Sequence, residues 1–144
     1  MIQLKHYLFT YGMLTNKEVM SPQARLIGAA TLKGWQFEML TFANVYQDFG
    51  KTAHGVLWGI NDQTLEECDW REGYPTTYDR KLVTVACQGR NYPAWVYTLT
   101  DKGRSRYQRN PTSFEYYQIV AEGYEQHGVD LEQIIRAGRL DPVV

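Results

Sequence analysis

Glu72 is the residue of this chain best placed for acid–base chemistry, because it ends a short predicted helix. Asn61 or Asp62 is typical of a helix N-cap, and Gly73 is typical of the residue that follows a helix C-terminus. The partial negative charge of a helix C-terminus opposes a second negative charge, so the pKa of a carboxyl there should rise. A carboxyl with a raised pKa suits a general base near neutral pH. An exposed glutamate without a function is the other interpretation that this position leaves open.

Aromatic residues flank Glu72 in the sequence. Trp70, Tyr74 and Tyr78 are predicted to exclude water from the carboxyl, which would raise its pKa further. On the same helix, Cys68 is expected to face inward as a small apolar residue.

A second candidate segment is the turn that follows the first predicted strand, His6–Thr10. Gly12, directly after Tyr11, allows successive backbone N–H groups to face one concavity, which can hold an anion or an oxyanion. Residues 11–14 are therefore a candidate binding loop, and a plain tight turn is the alternative.

Several other chemistries lack the residues that they need. His6, His54 and His127 show none of the short spacings of metal sites, and Cys68 and Cys87 form neither a disulfide framework nor a zinc motif. The chain has no Gly-rich phosphate loop that ends in Lys-Ser or Lys-Thr, and no Gly-x-Ser-x-Gly motif. We expect neither a metal site nor a nucleophilic Ser or Cys.

A basic run follows the last predicted strand. It consists of Lys102, Arg104, Arg106 and Arg109, with Tyr107 among them. Two interpretations stay open: these side chains receive a carboxylate or phosphate of a departing group, or they belong to a solvated loop.

The charge balance and hydropathy of the chain bear on its partners. In the 144 residues, 15 Lys and Arg stand against 16 Asp and Glu, so the basic excess of a nucleic-acid-binding protein is missing. No apolar run approaches the roughly 18 residues that span a bilayer. Residues 1–9 are too short and too polar for a signal peptide. We expect a soluble, cytoplasmic protein that binds neither nucleic acid nor membrane, and the sequence does not predict its oligomeric state.

The predicted elements place strands first and helices last. Strands are predicted over residues 6–10, 25–33, 35–43, 54–60, 81–87 and 94–99, with a polar loop over residues 44–52. A helix is predicted over residues 113–127 and ends at Gly128. Asp130 is then predicted to cap a last helix, with Gln133 completing a capping box and Gly138 ending it. Residues 1–144 are thus predicted to form one α+β domain.

Four motifs, in this order along nearly the whole chain, resemble the γ-glutamylcyclotransferase-like (AIG2-like) family. The loop over residues 11–14 is similar to the family's Tyr-Gly-Ser or Tyr-Gly-Thr-Leu loop, and residues 55–60 resemble the strand before its catalytic helix. Residues 65–73, continuing into residues 78–80, are similar to its Leu-Asp-x-x-Glu-Gly segment and the strand that follows. Residues 116–128 resemble its closing Tyr-x-x-Ile helix.

The resemblance implies a small mixed β-barrel with flanking helices and a metal-independent, cofactor-free enzyme. Members release an amine from a small γ-glutamyl compound while cyclising the glutamyl part to 5-oxoproline. Glu72 matches the catalytic glutamate, acting as general base and then as acid. The residues that match the substrate-binding positions are Tyr11, Gly12, Met13, Leu14, Tyr78 and Tyr116.

The chain departs from the family pattern at Met13, where Ser or Thr is usual. This departure keeps open a non-catalytic module that binds or sequesters a small ligand on the same fold. A protein-interaction role through the aromatic residues and the basic run is a third possibility. The leaving amine is not fixed by the resemblance.

Overall fold

Five β-strands close into a barrel in the computed structural model, which describes residues 3–138. The strands are β1 (His6–Thr10), β2 (Arg25–Met39), β3 (Ala43–Ile60), β4 (Tyr78–Cys87) and β5 (Arg90–Leu99). Their order around the barrel is β1-β3-β2-β4-β5, and β1 closes it by pairing in parallel with β5, whereas the other neighbours are antiparallel. The predicted mixed barrel with flanking helices is confirmed.

The helices of the described part flank this barrel. They are α1 (Asp62–Glu72), α2 (Asp101–Tyr107), α3 (Phe114–His127) and α4 (Glu132–Ala137), and a 3-10 turn spans Met13–Thr15. The Asn61 side chain accepts from the N–H of Thr64 at 2.7 Å, and Gly73 adopts the left-handed conformation, with φ of 69°. Both predicted ends of α1 are therefore confirmed, as is the burial of Cys68. None of the helices among residues 3–138 is long and apolar enough to cross a membrane.

The predicted loop over residues 44–52 is wrong, because β3 runs through it. The chain turns at residues 40–42, so the strand predicted over residues 35–43 is in fact the end of β2 and the start of β3. The pairing shifts between Lys33 and Trp35 of β2, so residues 48–51 of β3 bulge out of the ladder. Asp48, Gly50 and Lys51 suggested a loop, yet this part of the hairpin is largely exposed to solvent, where a strand tolerates such residues.

Most of the basic run lies in a helix, so its interpretation as a solvated loop is wrong. Thr100 accepts from the N–H of Gly103 at 3.0 Å and starts α2, which carries most of the run. Arg104 forms an ion pair with Glu38 at 2.9 Å. The local capping signal at Thr100 thus outweighed the polar composition that suggested a loop.

The capping box predicted for the last helix is also wrong. Asp130 accepts from the N–H of Glu132 at 2.9 Å, but the Gln133 side chain turns away from the helix end. It brackets the backbone of His54, donating to its carbonyl at 2.7 Å and accepting from its N–H at 2.8 Å. Gln133 therefore fastens α4 to β3 instead of capping it. The predicted end of this helix at Gly138 is confirmed.

Candidate active site

A cavity of about 200 Å³ lies beside the 3-10 turn, between α1 and α3, and its wall includes every site residue predicted from the sequence. These residues are Tyr11, Gly12, Met13, Leu14, Glu72, Tyr78 and Tyr116. Its remaining wall is formed by residues that were not predicted, namely Phe9, Thr10, Phe42, Ala43, Arg71, Tyr97 and Tyr107. The barrel fold thus brings residues from distant parts of the chain to one concave surface.

Glu72 is the acidic residue of this wall. It ends α1, and the left-handed Gly73 turns the chain away directly behind it. The side chain is half-buried and reaches the cavity. Burial raises the pKa of Glu72 from its usual 4.5 to about 7, and the positive charge of Arg71 opposes this rise. The carboxyl can therefore both take up and release a proton near neutral pH.

The aromatic residues that shield Glu72 differ from those predicted. Trp70 is 88% exposed and does not belong to the described cavity wall, so its predicted role in excluding water is wrong. Tyr74 lies against the Arg80 guanidinium, 4.6 Å from the ring centre. Of the three predicted residues, Tyr78 alone is buried in the wall. Residues adjacent to Glu72 in sequence point in different directions around a helix end, which explains the error.

Three tyrosines form the floor of the cavity, of which Tyr11 and Tyr78 are buried and Tyr116 is partly buried. The Tyr11 hydroxyl donates to the Tyr97 carbonyl at 2.6 Å, and the Tyr78 hydroxyl donates to the Ala43 carbonyl at 2.7 Å. Burial, aided by the negative charge of Glu72, raises the pKa of Tyr11, Tyr78 and Tyr116 above the ordinary range. These hydroxyls stay protonated at neutral pH, so the floor is uncharged and fixed in orientation.

The loop over residues 11–14 is held close to α3 by the hydroxyl of Tyr116. This oxygen accepts from the N–H of Ala43 at 3.1 Å and also faces the N–H of Met13. A Cβ added to Gly12 would lie 3.0 Å from the same oxygen and 3.0 Å from the Ala43 side chain. Glycine therefore permits the close approach that this corner of the cavity requires.

An ion pair that the sequence analysis missed fixes α1 to the barrel. Arg80 on β4 donates to both carboxylate oxygens of Asp69, at 2.8 and 3.2 Å. The Tyr97 hydroxyl donates to the same carboxylate at 2.6 Å, and the guanidinium also stacks on Trp95 at 4.3 Å. Asp69 lies one turn before Glu72, so this network sets the position of the helix end. The three-residue spacing between Asp69 and Glu72 predicts that they lie on one side of the helix, and this was the sequence signal that could have pointed to Asp69.

The basic run takes no part in the cavity wall. Its four cationic residues are absent from the described lining, and only the neighbouring Tyr107 reaches the cavity. The structure therefore does not support the interpretation that the run receives a departing anionic group there. No group of three or more His, Cys, Asp or Glu side chains within residues 3–138 is arranged to hold a metal ion.

The closed barrel, with a half-buried carboxyl at a helix end and a glycine-containing loop in the wall of the same cavity, defines the class of fold and site. Residues 8–118 match the family model described as "Gamma-glutamyl cyclotransferase, AIG2-like", and the chain belongs to this family.

The individual proteins compared here share between 24% and 28% sequence identity with the chain. The chain is 28% identical over 102 residues to a human protein named gamma-glutamylcyclotransferase, and 26% identical over 102 residues to the Bos taurus protein of the same name. Each match covers 69% of this chain and 52% of the relative, so the chain spans about half the length of these relatives. A solved structure titled "Gamma-glutamyl cyclotransferase" is similar in fold, with a TM-score of 0.80 and 24% identity over 96% of this chain and 89% of the other.

Proposed function

We propose that this protein is a γ-glutamyl cyclotransferase that releases an amine or amino acid from a small γ-glutamyl compound and forms 5-oxoproline. Glu72 is the general base and then the general acid. The observation that carries the proposal is a carboxyl with a pKa near 7 in the same cavity as the loop over residues 11–14. Family membership supports the same reaction.

In the proposed reaction, the α-amino nitrogen of the substrate attacks the γ-carbonyl carbon of the same molecule. The α-ammonium first gives a proton to Glu72, because only the neutral amine is a nucleophile. A new C–N bond closes the five-membered ring, and the bond to the departing amine breaks. The protons lost by the α-ammonium pass to the departing amine, the first of them through Glu72, so no water is consumed.

The cavity assists this reaction by holding the substrate in a folded conformation. An intramolecular attack is fast when its two reacting atoms are held together, and a cavity of about 200 Å³ restricts an amino-acid-sized group to few conformations. The backbone N–H groups of Gly12 and Leu14 are the proposed donors to the developing oxyanion, an effect worth roughly 3–4 kcal/mol per donor in other enzymes. Tyr11, Tyr78 and Tyr116 are proposed to position the glutamyl group. The proposal calls on no cofactor.

The first test is mass-spectrometric detection of 5-oxoproline after incubation with γ-glutamyl amino acids, glutathione and γ-glutamyl-ε-lysine. We expect product from the wild-type protein and none from Glu72→Gln, which keeps the size of the side chain but removes its basicity. Glu125→Gln removes a carboxyl from an exposed position of α3, outside the described cavity wall, and is the matched control. Turnover by Glu72→Gln equal to that of the control would refute the role of Glu72.

A non-catalytic ligand-binding module is the second candidate. Met13 places a thioether in the cavity wall, whereas the family loop that residues 11–14 resemble usually has the hydroxyl of Ser or Thr there. A rise in melting temperature with a γ-glutamyl ligand, without release of 5-oxoproline, would favour this candidate over the enzyme. Product formation would exclude it. The cytoplasmic location and the single domain over residues 1–144 stay predictions from the sequence.

A further inference from the structure

Among residues 3–138, Arg71 is the only cationic side chain in the cavity wall. It is exposed in the last turn of α1, directly before Glu72. Its positive charge lowers the pKa of Glu72 against the effect of burial, so its guanidinium lies within electrostatic range of the carboxyl. Glu67 precedes it by four residues, yet no ion pair joins the two, and none of the ion pairs among the described residues includes Arg71. As far as residues 3–138 are concerned, the five N–H donors of Arg71 are therefore available to a ligand.

Arg71 lies where the departing part of a bound substrate would leave the cavity. Arg71 and Leu14 line both the cavity and an open groove beside it, so they form the rim between the two. The cavity, at about 200 Å³, is smaller than the roughly 300–1,000 Å³ of sites for drug-sized ligands, so it has room for a single amino-acid-sized group. The rest of a larger substrate must extend across the rim. In the proposed reaction the enclosed part is the glutamyl group, so the departing amine is the part that meets Arg71.

The charges along the groove restrict where an anionic group of the substrate can bind favourably. Beyond the rim, the groove carries Glu18, Glu66 and Glu67, which repel a negative charge. A carboxylate on the departing amine is therefore favoured at Arg71 and disfavoured further along the groove. A carboxylate directly beside the departing nitrogen, as in an α-amino acid, meets this requirement. The planar, forked guanidinium matches such a carboxylate with two parallel hydrogen bonds.

We propose that Arg71 determines substrate specificity by binding the carboxylate of a departing α-amino acid, which favours γ-glutamyl amino acids over γ-glutamyl amines that lack this group. This inference rests on the proposed function. Two other roles of Arg71 predict different results. If it acts only on the ionisation of Glu72, or binds the carboxylate of the glutamyl group itself, its loss affects all γ-glutamyl substrates alike.

The test compares γ-glutamylglycine with γ-glutamylglycinamide, two substrates of nearly equal size that differ in the carboxylate of the departing group. Release of 5-oxoproline is measured at pH 8.5, above the pKa of about 7 of Glu72, so that small changes in this pKa have little effect. The proteins compared are wild type, Arg71→Gln and the control Arg106→Gln, which removes an exposed cation outside the described cavity wall. Arg106 belongs to the basic run, so this control also tests that run as an alternative anion receptor.

We expect wild type to prefer γ-glutamylglycine in kcat/KM by about 10- to 100-fold, the range of charge-assisted hydrogen bonds. Arg71→Gln should lose this preference through a lower kcat/KM for γ-glutamylglycine alone, and Arg106→Gln should keep it. An equal loss on both substrates in Arg71→Gln, or an unchanged preference, would overturn the inference while leaving the proposed reaction intact.

Failure of the proposed reaction is distinguishable from failure of this inference. If wild type releases 5-oxoproline neither from these two substrates nor from the other γ-glutamyl compounds named above, the reaction fails, and the role of Arg71 is then read from binding of the same two compounds by calorimetry. Tighter binding of γ-glutamylglycine that disappears in Arg71→Gln would still support anion recognition by Arg71. Equal binding of the two compounds, or no binding of either, would overturn it.

Discussion

The raised pKa of Glu72 predicts that this residue destabilises the protein at neutral and alkaline pH. In the unfolded chain the carboxyl loses its proton near pH 4.5, its usual pKa, whereas in the folded protein it keeps the proton until about pH 7. Between these values the folded state binds more protons than the unfolded state, so the free energy of unfolding falls as the pH rises. The contribution of Glu72 to stability is fully present below pH 4.5 and is lost as the pH rises through 7.

The size of this effect follows from the same two pKa values. A rise from 4.5 to about 7 corresponds to roughly 3 kcal/mol, since each pKa unit equals about 1.4 kcal/mol. Glutamine has the same shape and no charge to bury. We therefore expect Glu72→Gln to match wild type near pH 4 and to be about 2–3 kcal/mol more stable at pH 8.5, the lower value allowing for the partial exposure of the side chain.

Urea unfolding at several pH values between 4 and 8.5 measures this difference. A gain of 2–3 kcal/mol raises the urea midpoint by on the order of 1 M, because the denaturant slope of small proteins is about 1–3 kcal/mol per molar urea. Glu66→Gln is the matched control, and its stability relative to wild type should change little with pH, because Glu66 is exposed. A direct titration of the Glu72 carboxyl by carbon-13 NMR gives the pKa itself.

Two results would refute this reasoning. A constant difference between Glu72→Gln and wild type from pH 4 to 8.5 would mean that the carboxyl ionises with its usual pKa, so that burial does not disfavour the charge. A wild type that is more stable than Glu72→Gln at high pH would mean that a cation, with Arg71 the nearest candidate, outweighs the cost of burial. Either result would also remove the main physical support for Glu72 as a base at neutral pH.

Three further predictions concern the same site. The kcat/KM for 5-oxoproline release should rise with pH through about 7 as Glu72 ionises, and a profile with its acid limb near 4.5 would contradict this. Gly123→Ala should lower the free energy of unfolding in urea by about 1–3 kcal/mol, because the added Cβ would lie 2.7 Å from the Asn16 nitrogen and push α3 from the segment that follows the binding loop. An unchanged urea midpoint would show that the loop moves freely. Asp69→Asn weakens the ion pair with Arg80, so we expect a loss of about 1–3 kcal/mol and a lower kcat in the 5-oxoproline assay. Unaltered stability and kcat would show that the ion pair does not position α1.

The sequence by itself determined features that depend on neighbouring residues. The ends of α1 and α3 were predicted correctly because a side chain caps the first turn and a left-handed glycine follows the last, at Gly73 and Gly128. Such signals act within a few residues and need no tertiary contact. The order of short motifs also identified the family, which the match over residues 8–118 confirmed.

Only the tertiary structure decided which residues meet. The loop over residues 11–14 reaches Glu72 because β1 pairs with both β3 and β5, a set of contacts that no local pattern encodes. Tertiary packing also exposed Trp70 and directed Gln133 to the backbone of β3. Arg104 forms an ion pair with Glu38, whereas Arg71, at the rim of the cavity, has no ion-pair partner among residues 3–138. Burial and pairing depend on residues far apart in the chain, so the pKa of Glu72 and the charge at the rim follow from the closed barrel and not from any segment of the sequence.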